Sequence, residues 1–380
     1  MYDLFHSLDP KGQRVVSANY NPWLGKLTPL DLQGVDYATE TYDSVHATRP
    51  DLPIISSETS SAVSDRGVYK NDPKAGLVTG YDTEAPGWGQ TAEGAWGGQG
   101  MSNGQGILTR DFISGGFTWT GWDYKGEPTP DGWPDINSHF GILDITGFPK
   151  DRFYWYQAWF KEYNSGEGML HLFPHWSWET KGEPIDLWAF SNGAEVELFV
   201  NNKSLGRSPS NNYSHAVWPK VPFVPGEIRA VSYDDQNKTI ATQVIETTTA
   251  PTAIRLSIKD EVGAPGIYAG CNDVALVQAE VVDSSGRMVP SASNSITLTY
   301  TGPAKYLGGG NGDPAEHTPD KSPVRPAFKG LLLGIFGSTT ETGTIEVTAT
   351  SPGLKPGSLK ITAAAAQFTP SWWCPQNPNL

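Results

Sequence analysis

A chain of 380 residues with 38% hydrophobic content has material for two or three globular domains. Its net charge of −14, with no Lys/Arg stripe to offset it, argues against nucleic acid and anionic membranes as partners. Only two cysteines occur, Cys271 and Cys374, with no CxxC pair, so a disulfide framework and a zinc site are both disfavoured, and no apolar run reaches the ~20 residues of a membrane span.

The N-terminus, MYDLFHSLDP, lacks a charged region followed by an apolar core and therefore reads as no export signal. Alternating strands and helices follow. QRVVSANY (13–20), LQGVDY (32–37), LPIISSE (52–58) and GGFTWTGWDY (115–124) are apolar, β-branched or aromatic runs that predict strands. Between the second and third, TETYDSVHATRP places Tyr42, Val45 and His46 at helical spacing, and DRFYWYQAWFKEY (151–163) predicts an aromatic helix packed on a sheet. This alternation implies parallel strands with covering helices. Past residue 166 the pattern becomes short alternating strands, such as AEVELFVN and EIRAVSYD, separated by turns like NGA and NNKSLG. A linker near ETTTAPTA (246–253) precedes a second such set, including VALVQAEVVD and GTIEVTATS, and FTPSWWCPQNPNL closes the chain as a tail. The 42 glycines and 30 prolines punctuate these strands and form no repeat.

The third strand ends in Glu58, where a buried parallel strand would deliver a carboxylate to its C-terminal end, the catalytic end of α/β barrels. The next strand supplies Trp119, Trp122 and Asp123, so an aromatic surface would sit beside Glu58. A carboxylate next to a stacking platform is what a glycosidase nucleophile requires. On position alone an ordinary strand-terminal Glu is the commoner case, and a core Trp pair with a loop-capping Asp123 fits as well as a sugar platform. His171 and His175 in LHLFPHWSWE are spaced i,i+4, but Pro174 interrupts them, so packing is a better reading than a metal face. GGGNGDP lacks a following helix and reads as a loop, and Ser57, Ser60 and Ser61 lack a nucleophile elbow.

The ordered motifs IISSETSSAVSDRGVY, GGFTWTGWDYKGEPTPDGWPDINSHFGILDITGFPKDRFYWYQAWF, LHLFPHWSWE, AEVELFVNNKSLGRS and GGGNGDPAEH together resemble the multi-domain bacterial β-galactosidases of glycoside hydrolase family 2. The resemblance spans nearly the whole chain. It implies a partial (β/α)8 TIM barrel over 1–165, immunoglobulin-like sandwiches over 166–250 and 251–366, and a tail over 367–380. It makes Glu58 the nucleophile, Tyr37 the residue that orients it, and Trp119 the substrate platform, with Trp122, Asp123 and Glu127 as further sugar contacts. Asp123 and Glu127 could equally be holding the loop. One departure is Asp36, where relatives usually have Asn; a second carboxylate so near would repel the charge on Glu58.

Retaining chemistry needs a second carboxyl group about 5 Å from the nucleophile to protonate the leaving oxygen. In the family this is the Glu of an Asn-Glu pair, and no such pair occurs in the sequence. The expectation is therefore half a barrel whose other half, and whose acid/base, lie upstream, giving little turnover by the chain alone. Exposed strand edges would make oligomers or association with that missing half natural. The implied ligand is a β-galactoside oligosaccharide or glycan, although glucuronidase and mannosidase relatives share the barrel. Some relatives bind Mg²⁺ or Na⁺, for which no ligand set is evident here, and relatives suggest a periplasmic or secreted protein. The competing readings are a non-catalytic carbohydrate-binding or adhesion module, and sandwiches that serve only oligomer contacts.

Overall fold

The computed structural model describes all residues except 10, 13, 20–28, 82, 85–88, 102–103, 161–167, 260–265, 271 and 366–380. Contacts divide the chain into two compact units, one of 1–144, 149–174 and 182–245, the other of 145–148, 175–181 and 246–380.

The first unit opens with α1 (Tyr2–Leu8), which buries no residue. Four strands then form one sheet in chain order, β1 (Ser17–Ala18), β2 (Leu32–Asp36), β3 (Ile54–Ser60) and β4 (Ile113–Trp119), and each adjacent pair is parallel. The expected first strand reduces to Ser17–Ala18, its ends Gln13 and Tyr20 lying outside the described residues. Between β2 and β3 runs α2 (Tyr42–Thr48), preceded by the 3-10 turn Thr39–Thr41. The last covering helix is α3 (Asp151–Phe160); residues 161–163, also predicted helical, lie outside the described residues. Val35 and Ile54 from the sheet, Tyr42 and Val45 from α2, and Trp155 from α3 share one core with Trp96 and Ile107. These are the positions that the 3.6-residue and strand patterns nominate, so burial of apolar side chains fixes helix on sheet.

The fourth strand is shorter than its pattern. Residues 120–124 leave the sheet because their backbone groups find partners in a returning segment. Thr120 N donates to Phe140 O at 3.4 Å and Asp123 N to Leu143 O at 3.0 Å, while Lys125 bridges Asn137.

The same unit carries two antiparallel sheets. One has the spatial order Lys203–Pro209, Glu195–Val200, Glu227–Tyr233 and Thr239–Glu246, and the other Ala216–Pro222, Pro184–Ser191 and Leu170–Phe173. Alternate residues point inward, as with Val196 and Leu198 or Ile228 and Ala230, all fully buried. His171 packs as expected, 2.8 Å from Asp151 and stacked on Tyr154 at 3.7 Å between ring centres.

The second unit is a four-stranded and a five-stranded sheet around one core. Val277, Ala279 and Val281 from one sheet meet Ile296, Val347 and Ile361 from the other. GGGNGDP, expected as a loop throughout, is strand up to Gly310 because Gly309 and Gly310 pair with Gly334 and Leu333; the loop begins at Asn311.

Candidate active site

The site grows from the C-terminal ends of β2, β3 and β4. Pairing sets Asp36 opposite Glu58 across a bulge between Val35 and Asp36. Bulges re-aim side chains at strand ends. Tyr37 then takes a left-handed conformation, φ +57°, and its N–H donates to Glu58 O at 3.0 Å. Its hydroxyl donates to Glu58 Oε1 at 2.5 Å and lies 2.7 Å from Ser61 Oγ. Burial, and next the hydrogen bond to Glu58, push the Tyr37 hydroxyl far above the usual tyrosine range, so it stays a protonated donor. Glu58 itself is half-buried, open enough for a ligand to approach.

Neighbouring β4 brings Trp119 opposite Ser60, and Ser61 N donates to Trp119 O at 3.2 Å. Ser60 and Ser61 both have positive φ, +70° and +57°. Together with Tyr37 they form a run of left-handed non-glycine residues around the carboxylate, each of which costs of order 1–3 kcal/mol unless its surroundings enforce it. The Trp119 indole donates from Nε1 to the Tyr124 hydroxyl at 3.2 Å, Tyr124 stands edge-on to it at 5.8 Å, and its hydroxyl donates to Glu127 Oε2. Val63, Val78 and Phe140 pack behind the Trp119–Tyr124 pair.

The structure therefore brings Glu58 and Tyr37 together, sets Trp119 on the adjacent strand opposite Ser60, and links Glu127 to Trp119 through Tyr124. Trp122 is 59% exposed, open for stacking. Of the two readings open for Asp123 the structure favours loop-holding over sugar binding: it is buried, one oxygen is 2.7 Å from Lys150 Nζ, and the other accepts from Gly141 N at 2.8 Å. In that position it holds the loop. Asp36, opposite Glu58 in the pairing, accepts a hydrogen bond from Ser57 Oγ.

Sequence reasoning missed Tyr124, though it lies in the same FTWTGWDY run, and missed a buried polar layer altogether. His139 lies between two carboxylates, Nδ1 at 2.7 Å from Asp65 and Nε2 at 3.1 Å from Asp135, all essentially inaccessible. Burial alone would lower its pKa, but the hydrogen bonds to Asp135 and Asp65 win and raise it to about 9. Lys150 donates to Ser64 O at 2.6 Å and His139 O at 3.0 Å as well as pairing with Asp123. No local signal announces such a layer, since its members are separated by up to 86 residues in sequence. Among the described residues no group of three His, Cys, Asp or Glu side chains is arranged to hold a metal ion. No helix there is long and apolar enough to cross a membrane.

Residues 254–360 match the glycoside hydrolase family 2 C-terminal domain 5, and residues 182–241 match a domain of unknown function, DUF4982. The chain is 37% identical over 353 residues to the β-galactosidase BoGH2A of Bacteroides ovatus, covering 88% of this chain and 39% of that protein. It is 28% identical over 374 residues to a β-glucuronidase of Formosa agariphila, covering 95% and 35%. Among solved structures, a β-glycosidase from Bacteroides vulgatus superposes with a TM-score of 0.81 at 26% identity, over 95% of this chain and 48% of that one. A β-glucuronidase from glycoside hydrolase family 2 superposes at 0.74, also at 26% identity, over 97% and 37%. The chain thus spans less than half the length of the relatives it matches.

Proposed function

We propose, from the premise that the chain belongs to glycoside hydrolase family 2, that it is the nucleophile-bearing part of a retaining β-galactosidase. The observation that carries this reading is the Glu58 carboxylate held by Tyr37 at 2.5 Å beside the Trp119 platform, at the ends of parallel strands. In this reading β1 to β4 are strands of a (β/α)8 barrel within residues 1–165, and residues 166–250 and 251–366 are immunoglobulin-like sandwiches. A Glu58 oxygen attacks the anomeric carbon and the C1–O bond to the leaving group breaks. The departing oxygen takes a proton from a carboxylic acid, and that group, now a carboxylate, deprotonates the water that later cleaves the glycosyl ester. The sugar C–H face lies on Trp119, Trp122 extends the surface, and Tyr124 with Glu127 meets hydroxyl groups.

The sequence has no Asn-Glu pair, so the acid/base is assigned to protein beyond these 380 residues. Galactosides are favoured over glucuronides by the two matches that run over most of the chain, 37% identity to a β-galactosidase over 353 residues against 28% to a β-glucuronidase over 374. The protein is assigned to the periplasm or the exterior of the cell, where such glycans are met. A 2-fluoro galactoside with a dinitrophenyl leaving group tests the assignment, because the leaving group departs without acid assistance and the adduct accumulates. Intact mass should rise by one fluorogalactosyl group, mapped to the Glu58 peptide, once the upstream segment is supplied. The corresponding 2-fluoro glucuronide should label far more slowly; the reverse preference would reassign the substrate, and no adduct with either would favour a sugar-binding module.

A further inference from the structure

We infer that Ser61 is a positioning residue that holds Tyr37 on the nucleophile; the inference rests on the assignment of Glu58 above. The tyrosine hydroxyl has one proton, and an ionised carboxylate can only accept. The 2.5 Å contact to Glu58 Oε1 therefore consumes the Tyr37 proton, and the 2.7 Å contact to Ser61 Oγ must run the other way, with the serine donating. The order of donation is Ser61 to Tyr37 to Glu58. A donor behind the tyrosine makes its own proton a better one, since hydrogen bonds in series polarise each other in a low-dielectric site.

Ser61 is placed for this at a cost. It is fully buried, its φ is +57°, and its N–H is spent on Trp119 O at 3.2 Å. Glycine would adopt that backbone without strain, so the side chain at this position is bought by something other than the fold. When Glu58 becomes an ester, its carboxylate charge is gone and it accepts more weakly. Ser61 can then rotate its own proton away and accept from Tyr37. The tyrosine keeps its proton throughout, and no bond other than those of the glycosyl transfer changes.

Two substitutions separate this role from a packing role. Ser61→Gly removes the hydroxyl and relaxes the backbone, so a merely structural Ser61 predicts an equal or higher melting temperature and an unchanged labelling rate. The positioning role predicts that same melting behaviour with a labelling rate by the 2-fluoro galactoside lower by about tenfold, the scale of one lost buried hydrogen bond. It further predicts that the loss falls on the labelling rate constant at saturating 2-fluoro galactoside and not on the half-saturating concentration, because the weakened Tyr37 donor acts on the attacking carboxylate and not on sugar binding. Ser61→Cys, with a weak donor of similar size, should fall between glycine and wild type, and it carries the test if the glycine variant fails to fold. Glycine and cysteine variants that label at the wild-type saturating rate would overturn the inference while leaving the Glu58 assignment intact. Absence of an adduct on the wild type would remove both.

Discussion

The parallel-sheet region that ends at α3 and the sandwich of residues 253–365 solve the same folding problem with different materials. The sandwich core is built from Ile, Val, Leu, Ala and Phe in strict alternation, as in Val274–Val282, where every second residue faces inward. Beneath Trp119 the other region buries Asp65, Asp123, Asp135, His139, Lys150 and Arg152, and it holds Tyr37, Ser60 and Ser61 in left-handed backbone. Buried charge and strained backbone both cost stability, and an apolar core of the same volume would avoid both. In the first region they fall where β2, β3 and β4 end, in the segments that follow, and in the segment that returns to pair with those. Among the described residues the second unit also buries the charged Asp283 and Arg325, but its strands otherwise keep closer to the hydrophobic pattern.

The contrast can be broken most sharply at Glu58. Glu58→Gln keeps the hydrogen bond from Tyr37 but removes the nucleophile, so turnover with the upstream segment present should fall by roughly 10⁴-fold or more, as on removal of a member of a catalytic set. Melting temperature should hardly change. A loss of structure without a catalytic effect would place Glu58 among the packing residues.

Stability changes come next. Lys150→Met leaves Asp123 buried without its cation and should destabilise the first unit by about 3–5 kcal/mol. Phe336→Ala in the sandwich should cost a similar ~3–5 kcal/mol through a cavity alone. What distinguishes them is rescue. Lys150→Met should recover part of its loss when combined with Asp123→Asn, measured by urea denaturation followed through hydrogen exchange of each unit, because the buried carboxylate charge is then gone.

One buried group in each unit responds to an opposite end of the pH scale. His139 has its pKa raised to about 9 in the fold, so its contribution is complete below its unfolded value near 6.5 and is lost as pH rises through about 9. Asp283 in the second unit is the reverse case. Burial raises its pKa, but the N–H groups of Thr249, Ser285 and Arg287 and the Arg287 guanidinium at 2.8 Å outweigh this and hold it well below the usual range. Its contribution is present above the unfolded aspartate value near 4 and fades as pH falls. Hydrogen exchange at pH 9.5 should loosen the segment around His139 first, and at pH 3 the turn around Asp283 first. The smallest effect belongs to Trp122→Ala, expected to raise KM a few-fold with kcat nearly constant.

The same contrast governs what could be read from sequence. The sandwich strands were legible because a two-residue period is a local signal and nothing competes with it. That Glu58, Tyr37 and Trp119 fall near one end of the sheet was legible because each lies within two residues of a strand's C-terminal end, and parallel pairing aligns those ends. Asp123 was not, since its partners Lys150 and Gly141 lie on a returning segment that no periodicity announces. Nor was the end of β4, where Thr120 gives up sheet pairing for Phe140. The Asp65–His139–Asp135 cluster escaped for the same reason: its first and second members are 74 residues apart, and each alone is an ordinary polar residue.

The most direct test of the account is the mass of the protein after exposure to the 2-fluoro galactoside with its upstream segment supplied, for wild type and Glu58→Gln in parallel. The account predicts one fluorogalactosyl group on the wild type, carried by the peptide that contains Glu58, and none on the variant. An adduct on another carboxylate, or equal labelling of both proteins, would contradict it.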